Sequence, residues 1–398
     1  MVIKATFFYF YPIYNLMPMN YAYDIIKYII KIIEILKFKT DIWRDLMGLL
    51  DDTVVRIRPL NKAIMEKVQE RWERLYFGMG DLGKLKEIVI RYAAVTEEVI
   101  PEVPKCCMVV ACADHGVYAQ KVSAYPQSTT VGMTKGYLVA KGASANAMAH
   151  YCGADMIVVD MGINHDMSDV PGILDKKIAW GTKDITRGPA MTKEEAIRSI
   201  EAGIEIVEQK VKEGYRVFTV GEMGISNTTS SACMIGAFNH WNAIEVTGRG
   251  TNISDERLKH KIEVVQKALD INQADPDDGL DVLAKLGGFE FGCMTGVILG
   301  AAANRCLTII DGFNSTASAF VAKKISNVSI QYLMASHLSM EQAHRRSLEK
   351  LGLSEYIDLD IRLGEAVGAS IQKKILDMAL TVYRESMTKE QVQADGSN

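Results

Sequence analysis

Short apolar runs alternate along the chain with longer segments in which apolar residues recur at helical spacing. Segments such as "KLKEIVIRYAAVTEEV" and "KEEAIRSIEAGIEIVEQKVKEG" follow the helical period, which predicts amphipathic helices. The runs that predict buried strands are "KCCMVVACADHG", "MIVVDMG", "YRVFTVGEMG", "NAIEVTG", "CLTIIDGF" and "SIQYLMASH". Buried strands that alternate with helices indicate an α/β fold, with a mainly parallel sheet covered by helices on both faces.

Polar residues fall at the carboxyl ends of these predicted strands. They are Asp114 with His115, Asp160, Glu222, Thr247, Asp311, and Ser336 with His337. Ligands of open α/β sheets bind at this edge, so the pattern predicts a binding site there.

The stretch "RVFTVGEMGISNTTSSA" ends a predicted strand and begins a helix. Gly221 and Gly224 would let the backbone turn through conformations that other residues avoid. The free N–H groups of the helix start could then bind phosphate or another anion. The alternative is an ordinary strand-to-helix turn, in which Asn227 or Thr228 caps the helix. That alternative gives no reason for Glu222, an acid beside the turn.

A second glycine turn occurs in "VTGRGTNISDERLKHK". Gly248 and Gly250 lead into a helix whose predicted N-cap is Ser254, with Lys261 further along. Lys261 is either a phosphate ligand or an ordinary solvated lysine. The stretch lacks a complete G-x-G-x-x-G and a Walker A lysine, which disfavours a classical dinucleotide or ATP site.

Glu365 lies in an apolar, helix-like stretch, "LDIRLGEAVGAS", between Gly364 and Gly368. A desolvated carboxyl has a raised pKa and can accept a proton near neutral pH. The alternative is a helix-packing glycine face with Glu365 at its solvated margin.

The stretch "ADHGVYAQKVSAYPQSTT" follows a predicted strand. Asp114 and His115 could suggest nucleophilic catalysis with a serine, but the chain has no G-x-S-x-G elbow, so His115 is interpreted as structural. Residues 123–127 form a predicted loop that could close over a flat ligand.

Composition limits the classes of ligand. With 398 residues, 48% hydrophobic residues and a formal net charge of -4, the chain is globular and has no general attraction to nucleic acid or anionic membranes. Seven cysteines without C-x-x-C spacing and dispersed histidines predict a cytoplasmic protein without a metal site. Residues 1–45 are rich in aromatic residues, isoleucine and lysine. Charged residues interrupt them too often for a membrane span, and we interpret them as a non-catalytic extension or an over-extended start before Met47.

Taken together, the motifs resemble one family. The strings "ADHGV", "SAYPQ", "GPAMT", "GEMGISNTT", "TGRGT", "GGFE", "ILGAAANR", "DGFNSTASA", "SHLSMEQAHRRSLEKLG" and "RLGEAVGA" occur in the order and spacing of nicotinate-nucleotide:dimethylbenzimidazole phosphoribosyltransferases. The resemblance implies transfer of ribose 5-phosphate from nicotinate mononucleotide to 5,6-dimethylbenzimidazole, without a cofactor, for the nucleotide loop of cobalamin. It also implies a homodimer, with a Rossmann-like α/β domain at 106–337 and a smaller helical domain from residues 46–105 and 338–398.

The resemblance assigns roles to particular residues. Glu365 would be the general base for the acceptor, and Glu222 a second carboxylate near the ribose. The implied phosphate and ribose residues are Gly224, Ser226, Asn227, Gly248, Gly250, Lys261 and Asp311, and the implied acceptor pocket consists of Ser123, Tyr125, Gln127 and Leu363. Ser226 and Asn252 stand where the family usually has glycine, and the usual K-P-x-G-S-L-G appears only as "FGMGDLG".

Two alternatives stay open. One is a sibling transferase whose acceptor is phenol, cresol, adenine or another benzimidazole, because a phenol also offers its proton to Glu365. The other is a non-catalytic nucleotide-binding partner subunit, and a heterodimer with a paralogue is the alternative to the homodimer.

Overall fold

The computed structural model describes residues 48–394. The chain divides into two compact units, residues 1–52 and 53–398. Almost all of the first unit lies outside the described residues, and so does the extension predicted at 1–45. The description below concerns the second unit, apart from the start of the first helix.

A six-stranded parallel sheet forms the centre of the described residues. Its strands are β1 (Lys105–Ala113), β2 (Ala154–Gly162), β3 (Leu174–Asp175), β4 (Tyr215–Met223), β5 (Leu307–Ile310) and β6 (Leu333–Ala335). The strand order is β3-β2-β1-β4-β5-β6, and every neighbouring pair is parallel. This is the doubly wound order, in which the connections reverse direction between β1 and β4 and open a crevice at their carboxyl ends. The predicted α/β fold with a parallel, Rossmann-like sheet is confirmed.

Helices cover the sheet. They are α1 (Leu49–Arg56), α2 (Lys62–Arg74), α3 (Leu85–Thr96), α4 (Ser128–Lys135), α5 (Ser144–Cys152), α6 (Lys193–Lys212), α7 (Asn227–Asn239), α8 (Ala243–Val246), α9 (Asp255–Asn272), α10 (Gly279–Leu286), α11 (Phe289–Ala303), α12 (Phe313–Ile325), α13 (His344–Leu351), α14 (Val367–Glu385) and α15 (Lys389–Ala394). Short 3-10 turns occupy 116–120 and 327–332, and a π-helical turn occupies 136–140.

The core explains the uninterrupted apolar runs. In β1 every residue after Lys105 is buried, because helices pack on both faces of the sheet. Helix α11 is buried from Phe289 to Ala302 and packs closely on α6. A Cβ at Gly203 of α6 would lie 2.1 Å from the Cys293 carbonyl oxygen, so only glycine permits this approach.

Two strand predictions need correction. The run "NAIEVTG" is helix α8 rather than a strand, so Thr247 follows a helix. Asn242 and Glu245 form a capping box there, with Asn242 Oδ1 accepting from Glu245 N at 3.1 Å, and this cap favours helix over strand in a short apolar run. In "SIQYLMASH" only residues 333–335 are strand, because a 3-10 turn precedes them. Strand β3 has two residues and was not predicted.

The terminal segments pack against each other through α3 and α14. This packing agrees with a helical part built from both ends of the unit, and its separation into a smaller domain stays a prediction. Every helix within residues 48–394 is too short or too polar to cross a bilayer.

Candidate active site

A cavity of about 490 Å³ lies at the carboxyl edge of the sheet. Its walls come from the segments that follow β4, β5 and β6, from the loop and helix at 125–133, and from the turn at 362–365. The volume lies in the range of pockets that hold small molecules, roughly 300–1,000 Å³. Of the polar residues predicted at the strand ends, Glu222, Asp311 and His337 line this cavity, and its role as the binding site stays a prediction.

The turn from β4 to α7 uses its glycines for close packing. Neither Gly221 nor Gly224 has a positive φ, which corrects the reason given for them from sequence. A Cβ at Gly224 would lie 2.2 Å from the Ala113 carbonyl oxygen, and one at Gly221 would lie 2.3 Å from Ala366 N. The left-handed residue is Ser226, the N-cap of α7, with φ 80°. No side chain caps this helix, so the capping role considered for Asn227 or Thr228 is wrong.

Glu222 is the last residue but one of β4 and has a buried side chain, with 7% of its surface exposed. Its Oε1 accepts a hydrogen bond from Asn314 Nδ2 at 2.9 Å, and its Oε2 accepts one from Asn227 Nδ2. Burial raises the pKa of Glu222 well above its ordinary value, while the Asn314 amide lowers it and nearby acids, first Asp311, raise it further. Asn227 thus contacts the second carboxylate rather than the backbone of its own helix.

Glu365 lies in a turn before α14 and is 3% exposed, so the alternative of a solvated helix margin is wrong. Gly364, Glu365 and Ala366 have φ of 86°, 60° and 61°, three successive left-handed residues. Such backbone costs of order 1–3 kcal/mol for each non-glycine residue and recurs at functional sites. Burial raises the pKa of Glu365, and the Tyr137 hydroxyl opposes this rise.

Asp311 follows β5 and binds the start of α14. Its Oδ1 accepts from Ala369 N at 3.0 Å, and its side chain is 3% exposed. Burial raises the pKa of Asp311 to about 7, although the N–H groups at the start of α14 lower it. Asp311 lines the cavity and at the same time anchors the helix that follows Glu365.

Lys261 of α9 is 1% exposed, which rules out the ordinary solvated lysine. Its Nζ donates to Thr228 Oγ1 at 2.9 Å and to the Gly248 carbonyl oxygen at 3.2 Å. Burial lowers the pKa of Lys261, and the Glu341 carboxylate opposes this. Gly250 has φ 51° and lies next to Lys261, because a Cβ there would be 3.1 Å from Nζ. A buried ammonium, a hydroxyl and glycine backbone together can bind an anion.

The side chain of Glu341 contacts this glycine turn, and sequence reasoning missed it. Glu341 Oε1 accepts from Gly250 N at 2.9 Å. A Cβ at Gly248 would lie 1.7 Å from Glu341 Oε2, and this oxygen is buried without a hydrogen-bond partner among the described residues. The motif "SHLSMEQAH" contained Glu341 but gave no sign of where its side chain would point.

The cavity wall contains most of the predicted site residues. Those in the wall are Tyr125, Glu222, Gly224, Asn227, Gly250, Asp311, Leu363 and Glu365. Gly248 and Lys261 lie directly behind the wall and contact Glu341 and Thr228. Ser226 is buried, with its hydroxyl unpaired among the described residues.

Two residues of the predicted acceptor pocket lie elsewhere. Ser123 is outside the cavity wall, where its hydroxyl accepts from Tyr125 N at 3.3 Å. Gln127 is also outside the wall and precedes α4 as its N-cap. The apolar part of the wall includes Met133 and Met223, which sequence reasoning missed because methionine at helix or strand spacing usually indicates core.

His115 lies beneath the cavity and is 1% exposed. Its Nδ1 is 3.1 Å from Ser230 Oγ, and its Nε2 is 2.6 Å from Glu290 Oε1. Its ring carbon Cδ2 would be 3.4 Å from a Cβ at Gly224, so the His115 ring packs against the β4–α7 turn. This position agrees with the structural interpretation of His115.

A doubly wound sheet with a cavity of this size at its carboxyl edge is the arrangement of α/β enzymes that bind small substrates. The model of the phosphoribosyltransferase family matches residues 57–393. The chain therefore belongs to the phosphoribosyltransferase family.

Relatives and solved structures agree. The chain is 40% identical over 342 residues to the nicotinate-nucleotide–dimethylbenzimidazole phosphoribosyltransferase of Geobacter metallireducens, covering 86% of this chain and 97% of that enzyme. It is 40% identical over 347 residues to the enzyme of the same name from Clostridioides difficile, covering 87% and 99%. The crystal structure of the enzyme of this name from Thermus thermophilus superposes with a TM-score of 0.79 at 35% identity, covering 85% of this chain and 99% of that chain.

Proposed function

We propose that the protein transfers ribose 5-phosphate from nicotinate mononucleotide to 5,6-dimethylbenzimidazole, forming α-ribazole 5′-phosphate and nicotinate for the nucleotide loop of cobalamin. The name shared by its relatives supports this substrate pair. The observation that carries the proposal is one cavity with a buried carboxylate, Glu365, in its wall and a buried cation, Lys261, directly behind it.

The donor's phosphate binds at the glycine turn. Lys261 and the Thr228 hydroxyl provide charge and a donor, and the start of α7 lies in the same cavity wall. The ribose then lies towards Glu222, which lines the same cavity as Thr228 and Gly250. The flat acceptor lies against the apolar wall that includes Tyr125 and Leu363.

The reaction needs positioning and one proton transfer. The bond from C1′ to the nicotinate ring nitrogen breaks with its electron pair going to that nitrogen, so the pyridinium leaves without protonation. The unprotonated nitrogen of the acceptor forms the new bond to C1′ from the opposite face. The proton on the other ring nitrogen passes to Glu365, whose raised pKa suits it to accept a proton near neutral pH.

Release of nicotinate tests the proposal. Purified protein is incubated with nicotinate mononucleotide and, separately, dimethylbenzimidazole, adenine, phenol or cresol, and nicotinate is measured by chromatography. Release with dimethylbenzimidazole is expected. Release only with phenols would keep the chemistry and overturn the acceptor, whereas no release with any acceptor would indicate a non-catalytic subunit.

Glu365→Gln tests the base. We expect turnover to fall by roughly 10²–10⁴-fold, with binding of nicotinate mononucleotide retained in calorimetry. Glu349→Gln, at an exposed position of α13, is the matched control. Full turnover of Glu365→Gln would remove this residue from the mechanism.

We also propose that the protein works in the cytoplasm as a homodimer. Light scattering of the purified protein measures its mass directly. A monomer that becomes active only with a second chain would support the paired-subunit alternative.

A further inference from the structure

Both oxygens of the Glu222 carboxylate accept hydrogen bonds from side-chain amides. Asn314 Nδ2 donates to Oε1 at 2.9 Å, and Asn227 Nδ2 donates to Oε2. Asn227 is the first residue of α7 and Asn314 the second residue of α12, so two helices that follow adjacent strands meet at one carboxylate. The sequence separation between Glu222 and Asn314 is 92 residues.

The orientation of the Asn314 amide is fixed by a third residue. Ser231 Oγ donates to Asn314 Oδ1 at 2.6 Å, and Ser231 is fully buried. The two ends of an asparagine amide look alike and are distinguished by their partners. Because the hydroxyl occupies the carbonyl end, the NH₂ end faces Glu222, and the reversed amide would point an oxygen at the carboxylate.

The surroundings of Glu222 otherwise favour its neutral form. Asp311 after β5, Glu290 of α11 and Glu365 before α14 all disfavour a negative charge on it, as does burial. The nearby histidines engage two of these acids, because His115 is 2.6 Å from Glu290 and His337 is 3.8 Å from Asp311. The amide donors act in the opposite direction, since hydrogen bonds to a carboxylate favour the charged form.

We propose that Asn314, oriented by Ser231, is a positioning residue for the transfer reaction, which holds Glu222 as a fixed anion beside the ribose. Its charge there stabilises the positive charge that develops at C1′ as nicotinate leaves. An asparagine suits this role because its amide donates a hydrogen bond but cannot give up a proton to Glu222. The inference rests on the proposed function, which places the ribose next to Glu222.

Asn314→Leu tests the proposal, because leucine has a similar size and no donor. The acid limb of the pH profile of kcat/KM should move up by about one pH unit, the effect of losing one hydrogen bond to a charged group. Below neutral pH, kcat should fall more than KM rises. Ser231→Ala should shift the profile in the same direction by less, because the Asn314 amide can then rotate.

Asn304→Leu is the matched control, since the Asn304 amide donates to the Gly300 carbonyl oxygen at the end of α11 and lies outside the cavity wall. Its profile should equal that of the wild type. An unchanged profile in folded Asn314→Leu would overturn the proposal. If that variant does not fold, an unchanged profile in Ser231→Ala would overturn it.

Glu222→Gln distinguishes a failure of the role proposed for Glu222 from a failure of the role proposed for Asn314. If Glu222→Gln keeps full turnover, the role proposed for Glu222 in the reaction is wrong. If Glu222→Gln loses turnover while Asn314→Leu and Ser231→Ala keep the wild-type profile, only the role of Asn314 is wrong.

Discussion

Asp311→Asn tests whether buried negative charge at the sheet edge lowers the stability of this protein. Burial raises the pKa of Asp311 from 3.8 to about 7. The unfolded chain loses this proton near pH 3.8, whereas the folded protein keeps it until about pH 7. Over this interval the folded state binds more protons than the unfolded state, so stability falls as pH rises. The protonated Asp311 carboxyl therefore makes its full contribution to the free energy of unfolding below about pH 4, and this contribution is lost above about pH 7.

The size of the effect follows from the two pKa values. The interval from 3.8 to about 7, at about 1.4 kcal/mol per pH unit, gives ~4 kcal/mol lost at pH 8. Asparagine has nearly the same shape, and its carbonyl oxygen can still accept from Ala369 N, but it carries no charge. With an unfolding entropy of about 2 cal/mol/K per residue, ~4 kcal/mol corresponds to a rise in Tm of ~5 °C for a unit of this size.

Scanning calorimetry of both proteins from pH 4 to pH 8 measures this difference. Asp311→Asn should unfold ~5 °C above the wild type at pH 8, and the gap should narrow steadily towards pH 4. Asp169→Asn, at an exposed position, should leave Tm unchanged throughout. Equal Tm values at pH 8, or a gap of constant size across the range, would refute the reasoning.

Three further variants test the packing and charges around the cavity. Gly221→Ala should lower turnover ~10²-fold and lower the free energy of unfolding in denaturant by ~1–3 kcal/mol, because its Cβ collides with the turn that carries Glu365. Gly132→Ala is the control, because a Cβ there meets nothing within 4 Å. Normal turnover of Gly221→Ala would contradict the close packing. Glu341→Ala should bind inorganic phosphate ~10-fold more tightly in calorimetry, because it removes a like charge from the glycine turn; weaker binding would show that this carboxylate holds the turn in place. Tyr137→Phe should raise the pKa of Glu365 and shift the acid limb of the pH profile upward, and an unmoved limb would exclude the hydroxyl from tuning the base.

The fold could be predicted because its main strands are buried on both faces. Strands β1 and β4 produce continuous apolar runs, and their alternation with helices allows few arrangements other than a parallel sheet. The prediction failed where a pattern is short. In "NAIEVTG" the cap formed by Asn242 and Glu245 outweighs four apolar or β-branched residues, and β3, with two residues, leaves no pattern at all.

The sequence could predict only those site residues that directly follow or end a strand of the parallel sheet. Glu222 and Asp311 lie together because the carboxyl ends of parallel strands share one edge. The contact of Asn314 with Glu222 and that of Glu341 with Gly250 join residues more than 90 positions apart in sequence, and no local window contains both partners. A glycine in the sequence likewise does not tell whether it serves a left-handed turn or a close approach.

Glu222 and Glu365, two of the four acidic residues in the cavity wall, lie on segments that pack together at two glycines. Gly221 of β4 lets the turn at 364–366 pack on the strand, and a Cβ at Gly364 would lie 2.8 Å from Glu222 Oε1. The negative charge of Glu365 raises the pKa of Glu222, so the two carboxylates oppose each other's ionisation. Two amides donate to the Glu222 carboxylate, whereas Glu365 Oε2 has no hydrogen-bond partner among the described residues. The Asn314 amide therefore opposes the rise in the pKa of Glu222 that burial and the neighbouring acids cause, and the Tyr137 hydroxyl opposes the rise that burial causes in the pKa of Glu365.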